Sequence, residues 1–76
     1  MSAIYIVTIS DIPLAAARTL VAAKADAETR EARYGPAETR WVERGEKTWR
    51  LMSRMEGRSR FAWSTYAVHA VPEVTR

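Results

Sequence analysis

An α+β fold, β-α-β-β-β with one helix packed on a four-stranded, mainly antiparallel sheet, is predicted by three features of the sequence. The chain opens on a short β-branched and aromatic run, continues in a long alanine-rich stretch without internal glycine or proline, and then turns to short alternating runs separated by glycines. At 76 residues it makes a single domain, 1–76, close to the size at which one apolar core just suffices.

The opening run, "AIYIVTIS" (3–10), is apolar on both alternating faces, with Tyr5, Val7 and Ile9 on one and Ile4 and Ile6 on the other, and so reads as an interior strand. "SDIP" ends it, because Pro13 suits a first helical turn and Ser10 or Asp11 can accept hydrogen bonds from the orphan amides there. The spacing predicts a helix over 14–33, in strong helix formers. On a helical wheel Leu14, Ala17, Val21, Ala25 and Ala32 form one stripe, with Leu20 at its flank. Gly35 then offers a left-handed stop and Pro36 cannot continue the helix. Strands are expected at about 38–44, 47–54 and 58–70, with turns at "GE" and "MEG".

Side chains alternate across a strand, so turn chemistry sets which residues share a face. A three-residue "MEG" loop with Gly57 left-handed pairs Arg54 with Arg58, Leu51 with Phe61 and Trp49 with Trp63, placing the large apolar side chains on one face. A two-residue "EG" loop would set Arg58 and Arg60 beside Trp49 and Leu51, burying guanidinium groups at a cost of roughly several kcal/mol. The first register is therefore expected, with the helix over Trp49, Leu51, Phe61 and Trp63 and with Arg50, Arg54, Arg58 and Arg60 on the opposite face. Trp41 has two readings. A two-residue "GE" turn points it outward beside Arg50, whereas a three-residue "RGE" loop buries it against Trp49.

Formal charge is +3, and all of the excess lies in residues 38–60. There Arg40, Arg44, Lys47, Arg50, Arg54, Arg58 and Arg60 meet Glu38, Glu43, Glu46 and Glu56, while charges cancel on either side. Such asymmetry points to an acidic partner. The candidate partner-binding residues are Arg50, Arg54, Arg58, Arg60, Lys47 and Trp41. Trp and Arg are over-represented among residues that dominate binding energy.

No catalytic or cofactor chemistry is expected. There is no cysteine, the single histidine, His69, has no nucleophile partner and reads as a half-buried strand residue, and no phosphate loop or metal-ligand spacing occurs. The absence of cysteine fits a reducing, cytoplasmic setting. "AIYIV" is too short for a signal-peptide core or a membrane span, so no membrane is expected as a partner. "EGRSRFAWSTY" also lacks the basic-Gly-aromatic-Gly-Phe-Val motif of sheet-type RNA binders, and the expected register sends Phe61 and Trp63 under the helix.

The strand "IYIVTIS", the helix "LAAARTLVAAKADA" and the Trp-bearing strands "TRWVERGEKTWRL", in that order over the full length, resemble small phage-borne anti-CRISPR proteins that act on type I complexes. The resemblance is one of size and element order, and it carries no site residues. It implies a non-enzymatic inhibitor that binds a CRISPR-associated protein subunit in a host bacterial cell and blocks target DNA binding or nuclease recruitment. Many such proteins are acidic, and this chain departs from them in being basic, which directs its arginine face toward an acidic protein patch or toward nucleic acid. The alternative expectation is a small basic nucleic-acid-binding or regulatory protein of a phage or mobile element. A third is a subunit that forms a homodimer through an unpaired strand edge.

Overall fold

The computed structural model describes residues 3–72. It is α+β, with one helix on an antiparallel sheet of five strands rather than four: β1 Ala3–Ile9, β2 Ile12–Ala17, α1 Leu20–Glu31, a 3-10 turn Ala32–Tyr34, β3 Glu38–Glu43, β4 Thr48–Arg54 and β5 Ala62–Pro72. The order across the sheet is β2-β1-β5-β4-β3. No helix among the described residues is long and apolar enough to cross a membrane.

The fifth strand comes from residues expected to begin the helix. Ser10 and Asp11 both take positive φ, 47° and 68°, and so make a tight two-residue turn of the kind whose twist suits a hairpin. Ile9 then faces Ile12, and β2 runs back along β1. Pro13 is tolerated because β2 lies at the sheet edge, where a missing amide costs no ladder bond. As expected of a strand apolar on both faces, β1 is interior, paired with β2 on one side and β5 on the other.

The helix starts later, at Leu20, capped by Thr19, whose Oγ1 accepts from the Ala22 amide at 3.1 Å. This changes its buried stripe. Ala23, Ala27 and Glu31 face the sheet, Leu20 packs beside them, and Val21, expected inside, is 79% exposed. The expected stop holds: Gly35 follows the 3-10 turn with φ 70° and its amide bonds to the Ala32 carbonyl.

Small alanines let α1 lie close over β5, β1 and β2. Beneath it Val7, Leu51 and Val68 are fully buried, with Tyr66 beside them and Tyr5, Ile9, Trp41 and Trp49 packed around. The Tyr5 and Trp49 rings meet at 6.2 Å, tilted by 55°.

Burial raises the Tyr66 phenol above its usual 10.0, and the nearby Tyr34 and Glu31 add to the rise. A phenol held neutral in the fold stabilises it fully below the unfolded value and less as pH climbs toward the folded one. Thermal stability is therefore expected to fall as pH rises above about 10, and Tyr66→Phe should flatten that fall in melting curves taken across alkaline pH. An equal decline in the variant would mean that other groups cause it.

Candidate functional site

α1 covers one face of the sheet and leaves the other open. On that open face β3 and β4 bring their arginines together, because Arg40 and Val42 point the same way as Arg50, Met52 and Arg54 in the register Arg40↔Met52, Val42↔Arg50, Glu38↔Arg54. This pairing comes from a loop of residues 45–47, neither the "GE" nor the "RGE" loop expected, closed by a 2.8 Å bond from the Arg44 amide to the Thr48 carbonyl, so that Trp49 faces Glu43 rather than Trp41. Trp41 consequently faces Leu51 on the helix side, the face of the buried reading rather than that of an outward neighbour of Arg50. Its Nε1 donates to Glu28 at 2.6 Å and the Lys24 ammonium lies 5.7 Å from its ring.

Between β4 and β5 the expected register is replaced. Met52 faces Trp63 and Ser53 faces Ala62, but Arg50 faces Ala67, so residues 64–66 bulge opposite Leu51. The buried Ser64 hydroxyl accepts from the Tyr66 amide at 3.1 Å and satisfies a donor that the ladder does not. The connection is also longer than "MEG". Met55 to Arg58 forms a turn closed by a 3.1 Å bond, with Gly57 left-handed as expected at φ 84°, and three further residues precede β5.

The consequence is a reversal of faces. Trp63, expected in the core opposite Trp49, stands on the open face and is 43% exposed. The Arg50 guanidinium lies 4.7 Å from the centroid of its ring and that of Arg44 5.3 Å. Phe61, expected beside Leu51, is likewise flanked by Arg40 at 4.8 Å and Arg54 at 5.9 Å. Each pair is a cation–π contact worth roughly 0.5–1 kcal/mol when exposed.

The sequence candidates therefore separate. Arg50 and Arg54 share the open face. Arg54 also bonds Glu38 at 2.8 Å and the Arg58 carbonyl at 2.8 Å, so it ties β3 to the following loop. Arg58 and Arg60 are exposed on that loop and, with Phe61, line a groove along it. Lys47 is exposed on the connection between β3 and β4, with its carbonyl bonded to the Ala70 amide. Trp41 lies on the opposite side of the sheet. Arg40 and Arg44 join the face as charge bearers that belonged to the basic block but carried no separate signal, and Trp63 and Phe61 join it because the connection from β4 to β5 is longer than "MEG".

Next to the Arg50–Trp63 pair a cleft of about 420 Å³ opens toward β1, with the buried Thr8 and Ala67 at its floor. Its walls include Asp11, Thr48, Arg50, Trp63 and His69. His69 is the half-buried strand residue expected, opposite Thr48 and Ile6, and its Nδ1 lies 3.3 Å from the Thr48 hydroxyl.

The exposed Trp63 ring and the half-buried Phe61 ring, set among guanidinium groups, give a surface able to stack planar groups and neutralise phosphates at once. No protein-family model, curated protein or solved structure matches the chain.

Proposed function

We propose that the chain is a non-enzymatic binding protein that holds single-stranded nucleic acid on the open face of its sheet, in the cytoplasm of a bacterial cell. The observation that supports this reading is the exposed Trp63 with the Arg44 and Arg50 guanidinium groups at 5.3 and 4.7 Å, repeated at Phe61 by Arg40 and Arg54. Arginines track the backbone and every base has a π-face to stack, so such binding is strong without depending on sequence. Arg58 and Arg60 extend the charge along the loop beside Phe61.

A gel shift with short single-stranded DNA or RNA at low salt tests the proposal. Binding is expected, with an affinity that falls steeply on adding salt. If four phosphates are neutralised, the slope of log K against log salt is about −3. No shift at low salt, or a salt-independent one, would remove the reading.

A second reading keeps the surface and changes the partner. The resemblance to anti-CRISPR proteins suggests an inhibitor docked on a type I complex, and exposed Trp63 with Arg50 has the residue types that anchor protein interfaces. Retention of a CRISPR-associated subunit on the immobilised chain after nuclease treatment, together with lost interference in cells, would favour it. Retention abolished by nuclease would return the partner to nucleic acid.

A further inference from the structure

The cleft beside Trp63 contains groups that general strand binding does not use. Arg50 is half-buried at its wall and makes no ion pair among the described residues, in contrast to Arg54, which has Glu38, and Arg30, which has Asp26 at 2.8 Å. A partly desolvated guanidinium without a carboxylate is a ready partner for an anion. Asp11 lines the same cleft and also makes no ion pair among the described residues. On a face meant for phosphates a free carboxylate is repulsive, unless the ligand also brings hydrogen-bond donors.

The placement of Asp11 is specific. It sits in the two-residue β1–β2 turn at φ 68°, next to Ser10 at φ 47°, a left-handed position that aspartate tolerates. The Ser10 amide bonds to the Thr65 carbonyl at 3.0 Å, which fixes the turn against the bulge in β5 next to Trp63.

Resting on the reading of the face as a single-strand binder, we infer that the cleft is a base-specific subsite that takes one guanine of the bound strand. Trp63 supplies the stacking surface, Arg50 holds the adjoining phosphate, and the Asp11 carboxylate accepts from the base edge. An ionised carboxylate is an acceptor only. Guanine is the base whose Watson–Crick edge offers two adjacent donors, N1–H and the 2-amino group. Thymine and uracil place a single N–H between two carbonyl oxygens, and adenine and cytosine set their amino group next to an acceptor nitrogen. Edges of unpaired bases are read in this way in single-stranded recognition. The cleft volume of about 420 Å³ lies within the range of sites that enclose small ligands.

Fluorescence anisotropy with a labelled oligothymidylate and the same strand carrying one central guanine tests the assignment. The guanine strand is expected to bind about tenfold more tightly, the scale of one good bidentate contact to a base. Asp11→Gly removes the carboxylate and places at φ 68° the residue that such turns favour, so the hairpin persists. In that variant the ratio of the two affinities should fall to near one. A ratio near one in the unsubstituted chain overturns the subsite while the thymidylate strand still binds and the wider reading stands. A ratio that survives Asp11→Gly overturns Asp11 as its source. Failure of both strands to bind overturns the subsite together with the reading on which it rests.

Discussion

Replacing Trp63 with alanine is expected to weaken binding of a single-stranded oligonucleotide by roughly tenfold or more, because base–aromatic stacking is worth about 1–3 kcal/mol per base. Trp63 is 43% exposed and lies outside the buried cluster under the helix, so the fold has little need of it. What the fold loses is two cation–π contacts, with Arg44 and Arg50, or roughly 1–2 kcal/mol. In a domain of this size each kcal/mol lowers the melting temperature by about 4–8 °C, so the variant remains folded at room temperature. Trp41→Ala is the natural control. That ring packs on the core and donates to Glu28 from the helix side, so its removal should lower stability and leave the affinity measured on folded protein unchanged. Equal affinity for the Trp63 variant and the parent would reduce the face to a charge-only surface.

The contrast between the two tryptophans shows which parts of the molecule are legible in the chain. Elements set by local chemistry are readable: the interior character of Ala3–Ile9, the left-handed stops at Gly35 and Gly57, and the concentration of charge in residues 38–60. Elements decided by long-range pairing are not. Ile12–Ala17 has the composition of a helix, yet it folds as a strand, because a left-handed Ser10–Asp11 turn delivers it to the free edge of β1 and alanine's helix preference is only a few tenths of a kcal/mol per residue over most others. The one available sign was β1 itself, since a strand apolar on both faces calls for neighbours on both sides. The site was half legible. Its arginines follow from the charge block, whereas its aromatic rings depend on a connection that runs over 55–61 although its glycine, Gly57, fits a three-residue turn. A register shift by an odd number of residues exchanges the two faces of a strand, so the step from Trp49↔Trp63 to Met52↔Trp63 that the longer connection produces was enough to move Trp63 and Phe61 from the core to the surface.

Leu51→Ala is expected to destabilise the fold by about 2–5 kcal/mol, the range for truncating a buried leucine with little collapse around it. Leu51 is 0% exposed, and it stands where β5 bulges, between Arg50↔Ala67 and Met52↔Trp63, without a directly paired residue on that strand. Its side chain fills space under the helix that Ala23, Ala27, Val7 and Val68 share, and alanines cannot move to refill it. A domain of this length is held by only about 4–11 kcal/mol, so the variant should show a much lower urea midpoint with an unchanged slope. The comparison with Trp63→Ala is what tests the register. If β4 and β5 paired as Trp49↔Trp63 across a three-residue "MEG" loop, Trp63 would face the helix and its truncation would rank with other buried aromatics, at about 3–5 kcal/mol. With Met52 opposite Trp63, Leu51→Ala must be the more damaging of the two to stability and Trp63→Ala the more damaging to binding. The reverse order in urea melts of both variants would place Trp63 in the core and remove the arginine–aromatic face together with every function assigned to it.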